Sequence, residues 1–91
     1  MVKARVHVIV SGKVQGVFFR QKTKQVALSL DVKGWIQNLP NGKVEAVFEG
    51  DEPAVKALID YCYHGPSSAR VDNVEANYEN YVGEFSDFAT L

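Results

Sequence analysis

The segment from Ser11 to Arg20, with the sequence SGKVQGVFFR, combines two glycines with an arginine where a strand is predicted to give way to a helix. Gly12 and Gly16 permit backbone dihedrals that let successive N–H groups of a loop point at one bound group. A helix N-terminus that follows such a loop attracts anions. Arg20 adds a planar guanidinium that matches two oxygens of a phosphate or a carboxylate. The segment therefore predicts an anion-binding site.

The charges around this segment favour the same interpretation. Residues 11–30 contain four cations and no acid, whereas the second predicted helix opens with Asp51 and Glu52. A cation at a helix N-terminus costs a few tenths to about 1 kcal/mol, and a bound anion removes this cost. A second interpretation stays open here, in which the glycines only shape a tight connection and Arg20 is solvated. The spacing matches neither the P-loop nor the dinucleotide fingerprint, so a phosphate site here is of another kind.

Asn38 is the second residue whose type and place suggest chemistry. In its predicted strand it shares a face with Gly34 and Ile36, and it is the polar residue on that face. In one interpretation Asn38 starts the turn that contains Pro40 and Gly42, and the spacing alone favours this structural role. In the other, its amide orients a water molecule or a substrate oxygen. Asn38 can lie close to the loop that precedes Arg20 only if the strands have a particular order in the sheet. The sequence does not settle that order.

The remaining reactive side chains, those of the histidines and the cysteine, are predicted to have structural roles. His7 lies on a strand face and His64 lies beside a helix stop, and the two are not at metal-ligand spacing. Cys62 falls in an apolar helical stripe, where a thiol is usually buried and unreactive. A single cysteine forms no internal disulfide and offers no second thiolate to a metal. We therefore predict no metal site and no pairing of a nucleophile with a base.

Two periodicities define the elements that must position these residues. Alternating apolar and polar residues predict strands over Lys3–Val10, Val32–Leu39, Val44–Phe48 and Arg70–Tyr78, and a short one over Tyr81–Phe85. Apolar residues three and four apart predict helices over Phe19–Leu30 and from the N-cap Asp51 to the Gly65-Pro66 stop. Asn41-Gly42 predicts a hairpin between the second and third strands. The inward phase of the fourth strand slips between Val71 and Val74, as at a β-bulge.

This order of elements predicts an α+β fold. It reads βαββαβ with an extra short C-terminal strand, and right-handed crossovers then place both helices on one face of a mainly antiparallel sheet. This architecture is the ferredoxin-like α/β sandwich, in one domain over residues 1–91. Because the fold hosts many unrelated functions, the function has to be argued from the site.

Composition narrows the classes of partner. The formal net charge is −1 and 46% of the residues are hydrophobic, so nothing predicts bulk attraction to nucleic acid or to a membrane surface. The sequence contains neither a signal-peptide pattern nor an apolar run long enough to span a bilayer. We expect a cytoplasmic protein, and the lone Cys62 agrees with a reducing compartment. We also expect a monomer, because no extended apolar surface stripe is left unassigned.

Two longer stretches carry a family resemblance. VSGKVQGVFFR, from Val10 to Arg20, and GWIQNLPNGKVEAVFEG, from Gly34 to Gly50, together resemble the acylphosphatase family. The resemblance implies hydrolysis of the carboxyl–phosphate bond of a small-molecule acylphosphate, with no metal and no organic cofactor. It also implies that Arg20 binds the phosphate and that Asn38 orients the attacking water, which reverses the preference for a turn role. The implied partners of Arg20 are the loop amides of Gln15, Gly16, Val17, Phe18 and Phe19.

Two alternatives share this order of elements. One is a non-catalytic binding or regulatory module, like the acylphosphatase-like module of larger maturation proteins, that holds a phosphate or an acylphosphate. The other is an RNA-binding module, which Lys33-Gly34-Trp35 weakly imitates. The RNA-binding alternative is disfavoured because the first strand lacks stacking aromatics and the chain is not basic.

Overall fold

The computed structural model describes residues 2–91 and contains the predicted series of elements. In chain order these are β1 (Lys3–Lys13), α1 (Phe19–Ser29), β2 (Lys33–Asn38), β3 (Val44–Asp51), α2 (Glu52–His64), β4 (Arg70–Glu79) and β5 (Phe88–Thr90). The order is βαββαβ followed by a short strand, which confirms the predicted ferredoxin-like α+β fold. Within residues 2–91, no helix has the length and apolar character needed to cross a bilayer.

The five strands form one sheet in the order β4-β1-β3-β2-β5. β1 pairs antiparallel with both β3 and β4, and β2 pairs antiparallel with β3. The short β5 is the exception, because it pairs parallel with β2. β1 and β2 therefore run in the same direction on either side of β3, and their C-terminal ends lie at the same edge of the sheet.

One hydrophobic core joins the sheet to both helices. Alternate residues of β1, from Ala4 to Val10, are buried together with Phe19 of α1 and Leu58 of α2. Fully burying a side chain of this size contributes about 1.5–3 kcal/mol. Each helix presents the predicted apolar stripe, including the buried Cys62. The opposite face of the sheet, called the open face below, carries polar side chains of β1, β2 and β3.

The predicted bulge in β4 is confirmed. Ser11 is paired with Asn73 and Gly12 with Val71, so Asp72 is the extra residue between two paired positions. Gly12 has φ +129° and lies so close to β4 that an added Cβ would collide with the carbonyl of Arg70. Glycine at this position therefore allows the bulged strand to approach β1.

The prediction of a strand over Tyr81–Phe85 is wrong. Residues 80–87, called the strap below, cross the open face without regular structure, and the last strand is β5. The N–H groups of Val82 and Gly83 donate to the Glu49 carboxylate instead of to a neighbouring strand. Gly83 also has φ +73°, far from the φ of about −120° to −140° of regular strands. Side-chain contacts thus replace strand pairing here.

The cap of α2 is also partly different from the prediction. Asp51 occupies the N-cap position, yet its side chain makes no capping hydrogen bond. The carboxylate accepts a hydrogen bond from Lys3 Nζ instead, at 2.6 Å. Glu52 still places a negative charge in the first turn of α2, where the helix dipole favours it.

Candidate active site

The loop between β1 and α1, residues 14–18, has a strained backbone that is anchored to the core by buried apolar side chains. Val14 and Val17 are buried in the core, and so is Phe19, the first residue of α1. Gly16 has φ +72°, and Phe18, an exposed residue, lies in the left-handed region with φ +64°. For a residue with a side chain, this conformation costs about 1–2 kcal/mol. Residues held in such conformations cluster at functional sites, where the surrounding structure imposes them.

The start of α1 has none of the usual compensation for its positive end. Phe18 is the N-cap residue and supplies no side-chain hydrogen bond, and the first turn, all within the described residues, holds no acid. The first N–H groups of a helix have no partner inside the helix. Arg20, the second residue of α1, adds a positive charge to this end. An anion placed here would meet both the helix dipole and the guanidinium.

An open cavity of about 260 Å³ lies beside the loop. It is lined by Val14, Gly16, Phe18, Phe19, Arg20, Gln21 and Asn38. Six of these seven residues come from the segment 14–21, whereas Asn38 comes from the end of β2. The cavity thus brings together the two predicted catalytic residues, Arg20 and Asn38.

Strand order explains how Asn38 reaches the loop. Val44 of β3 is paired with Val10 of β1 on one side and with Asn38 of β2 on the other. β1 continues for three residues beyond Val10 before it enters the loop. Since β1 and β2 run in the same direction, the side chain of Asn38 lies at the sheet edge where the loop begins. This is the arrangement that the sequence left unsettled.

The Arg20 guanidinium already has one partner. Its Nη1 donates to the main-chain oxygen of Leu91 at 2.6 Å. The N–H group of Leu91 donates in turn to the carbonyl of Ile36 in β2, at 2.8 Å. The chain after β5 therefore orients Arg20 from the side of β2. A guanidinium has five N–H donors, so this contact leaves others for a ligand.

Two of the predicted phosphate-binding residues do not line the cavity with their side chains. Val17 points into the core, and its carbonyl accepts a hydrogen bond from Ser68 Oγ at 2.9 Å. The side chain of Gln15 turns toward the turn between β2 and β3, where it donates to two carbonyls. Gly16, Phe18 and Phe19 line the cavity. For Gln15 and Val17, binding would have to come from their main-chain N–H groups.

Two residues that line the cavity were not predicted from the sequence. Val14 borders the cavity although its apolar side chain carries no chemical signal. Gln21 follows Arg20 in the first turn of α1, so its position next to the predicted arginine was the available clue.

The titratable groups with shifted pKa values lie away from this cavity. On the open face, hydrogen bonds from His7 Nε2 at 2.8 Å and from Gln37 at 2.7 Å lower the pKa of Glu45. Burial alone raises the pKa of Glu49, but the N–H groups of the strap and the Arg5 guanidinium outweigh it, so the pKa is lowered. Burial raises the pKa of Cys62 to about 12, so this thiol stays protonated near neutral pH, as an inert core residue does.

The fold and the cavity together define a class of protein. Its members are small ferredoxin-like α+β proteins that have a cavity between the β1–α1 loop and the end of β2. Within this class, a model of the acylphosphatase family matches residues 6–90. An acylphosphatase from Syntrophus aciditrophicus (strain SB) is 60% identical over 87 residues, which cover 96% of this chain and 91% of that protein. The chain belongs to the acylphosphatase family.

Solved structures agree with this assignment. An acylphosphatase from Coxiella burnetii superposes with a TM-score of 0.91 at 39% identity, covering 98% of this chain and 93% of that chain. The acylphosphatase from Bacillus subtilis gives a TM-score of 0.93 at 26% identity, covering 97% of this chain and 98% of that chain. The predicted family, fold and enzyme class are thereby confirmed, whereas the roles of individual residues stay predictions.

Proposed function

We propose that this protein hydrolyses acylphosphates at the cavity beside the β1–α1 loop. Water attacks the phosphorus, the bond between phosphorus and the carboxyl oxygen breaks, and the products are a carboxylate and inorganic phosphate. The proton of the attacking water passes to a phosphate oxygen. The observation that carries the proposal is that Arg20 and Asn38, from separate elements, line one cavity with the strained loop.

Each part of the cavity has a role in this reaction. Phosphoryl transfer passes through a loose transition state, so catalysis rests on positioning and on stabilising charge. Arg20 and the main-chain N–H groups of residues 15–19 hold the phosphoryl oxygens, and Asn38 orients the water. A carboxylate is a good leaving group, so no general acid is required. The reaction as proposed uses no metal and no organic cofactor.

The test is phosphate release from acetyl or benzoyl phosphate in the presence of EDTA. We expect turnover by the wild type and a fall in kcat/KM of about 10²–10³ in both Arg20→Lys and Asn38→Ala, the usual cost of one preorganised donor. Arg20→Lys keeps the positive charge but loses the bidentate hydrogen-bonding geometry of the guanidinium. It therefore separates bidentate recognition from simple charge attraction. Circular dichroism checks that both variants remain folded.

Matched control variants exist on β4, at residues that do not line the cavity. Arg70 and Asn77 are exposed there, so Arg70→Lys and Asn77→Ala make the same chemical changes without touching the site. Both controls are expected to retain wild-type rates. An Asn38→Ala enzyme with a near-normal rate would eliminate its role in orienting water. A wild type that binds phosphate without turnover would favour the non-catalytic module, and salt-sensitive RNA binding without turnover would favour the RNA-binding module.

The remaining expectations belong to the same proposal. The chain acts as one domain and as a monomer, with a small-molecule substrate and neither nucleic acid nor a membrane as partner. Its single cysteine is free and buried, which agrees with a reducing cytoplasm. Sedimentation analysis tests the monomer directly, and a mass of two or more chains at micromolar concentration would refute it.

A further inference from the structure

We propose that the side chain of Gln15 is a positioning residue that holds Asn38 in place relative to the β1–α1 loop. The inference deepens the proposed function and rests on it, because Asn38 matters only if the cavity performs the hydrolysis. Its basis is a pair of hydrogen bonds that joins the two separate segments from which the cavity is built.

The amide of Gln15 bridges to the turn between β2 and β3, residues 39–43. Its Nε2 donates to the carbonyl of Leu39 at 2.7 Å and to the carbonyl of Lys43 at 2.9 Å. Main-chain carbonyls only accept hydrogen bonds, and a glutamine amide nitrogen carries two hydrogens. The partners therefore fix the orientation of the amide, with its nitrogen toward the turn, and both of its donors are used.

These two carbonyls flank the residues that hold Asn38. Asn38 is paired with Val44 across the β2–β3 ladder. Leu39 follows Asn38 in the chain, and Lys43 precedes Val44. The same carbonyls also close the turn, because Leu39 N donates to Lys43 O at 2.8 Å and Gly42 N donates to Leu39 O at 3.2 Å. Gln15 thus adds a second donor to each end of the turn, directly beyond Asn38.

The loop itself has anchors that do not depend on this side chain. Val14, Val17 and Phe19 are buried on its core side, and Ser68 donates to the carbonyl of Val17. The turn lacks such anchors, because residues 40–43 are exposed. Loss of the Gln15 amide should therefore leave the phosphate-binding loop in place and release the turn. The effect should fall on water positioning by Asn38 and spare phosphate binding.

Gln15→Met tests this inference, because methionine keeps the length and volume of glutamine but has no donor. We expect kcat for benzoyl phosphate to fall about tenfold to a hundredfold, the range expected when a reacting group is displaced by up to about 1 Å. The inhibition constant of inorganic phosphate should stay within about twofold of the wild type, since ground-state binding is retained. Gln25→Met makes the same change at an exposed position of α1 and should have wild-type kinetics.

A double-mutant cycle separates positioning from a general structural role. If Gln15 acts through Asn38, then Gln15→Met should lower kcat by less than about twofold in the Asn38→Ala background. Gln15→Glu, which replaces the donating amide nitrogen by a carboxylate oxygen that faces the two carbonyls, should be at least as slow as Gln15→Met. Full additivity of Gln15→Met and Asn38→Ala would overturn the inference. So would an unchanged kcat, or a loss of phosphate affinity that matches the loss of rate.

Hydrogen exchange gives a readout that is independent of turnover. In Gln15→Met, the amide hydrogens of Leu39 and Gly42 should exchange faster than in the wild type, while those of α1 should not change. Unchanged exchange in the turn would refute the tether even if kcat fell. An inactive wild type would refute the proposed function and with it the catalytic consequence, but the exchange experiment would still decide whether Gln15 holds the turn.

Discussion

Replacing Glu49 by alanine should destabilise the protein strongly, although Glu49 is not among the residues that line the proposed active site. Its side chain is only 3% exposed on the open face. One oxygen, Oε2, accepts hydrogen bonds from Arg5 Nη1 at 3.0 Å, from Val82 N at 3.0 Å and from Gly83 N at 3.2 Å. This carboxylate therefore holds the strap against the sheet.

The magnitude follows from counting what is lost and what water restores. A hydrogen bond to a charged group contributes about 1.5–3 kcal/mol, so three such bonds set an upper limit of roughly 5–9 kcal/mol. Val82 and Gly83 are exposed, so water can bind their N–H groups once the carboxylate is gone. Arg5 keeps hydrogen bonds to Glu79 at 3.0 Å and to Glu84 at 2.8 Å. We therefore expect a loss of about 2–3 kcal/mol.

Urea unfolding and thermal unfolding measure this loss. For a domain of this size, about 2–3 kcal/mol corresponds to a fall in Tm of roughly 10–20 °C. Glu49→Gln keeps an acceptor for the strap and loses the charge, so it should lie between wild type and Glu49→Ala. Glu75→Ala, at an exposed position of β4, is the matched control and should change stability by less than about 0.5 kcal/mol. A Glu49→Ala protein as stable as this control would refute the reasoning.

Two further predictions concern stability. Gly12→Ala should cost more than about 2 kcal/mol in urea unfolding, because it combines a strained positive φ with a collision against the carbonyl of Arg70. Gly42→Ala, where φ is +89° and the space is open, should cost only about 1–2 kcal/mol, and equal losses would count against the collision. The second prediction concerns high pH. Burial raises the pKa of Cys62 from 9.0 to about 12, so between these values the unfolded chain loses its thiol proton first and unfolding becomes easier. Between pH 8 and pH 10 the wild type should lose about 1.4 kcal/mol more than Cys62→Ala, and parallel pH profiles would contradict this.

The sequence predicted the elements well because each has a strong local signal. The stripe of α2, the alternation of β1 and the Asn41-Gly42 turn arise from neighbours within a few residues, and all are present. The phase slip that predicted the bulge in β4 is equally local. The strap was predicted wrongly because its partner is the Glu49 carboxylate, more than 30 residues away. Alternation alone does not distinguish a strand from a segment held by one distant side chain.

The candidate site was predictable in its members but not in its assembly. Arg20 was indicated by the charge pattern and the two glycines by the predicted loop. Asn38 was assigned its role only through the family motif. The order β1-β3-β2, which brings Asn38 to the loop, is a property of the whole sheet that no local pattern contains. The side chain of Gln15 was not recognised because its partners lie 24 and 28 residues away.

The two helix starts support the proposal that the β1–α1 loop is shaped for a ligand. α2 begins with an acid and a proline, which suit its positive end, and its N-cap Asp51 has ordinary extended dihedrals. α1 begins with a left-handed Phe18 and with Arg20 in its first turn. These features cost about 1–2 kcal/mol for the backbone and up to about 1 kcal/mol for the cation. An anion in the cavity would offset the cost of the Arg20 charge. It would also bind to the loop geometry that the left-handed Phe18 makes possible. Departures from local preference are expected at functional sites, so these two features at the start of α1 support the proposed anion site.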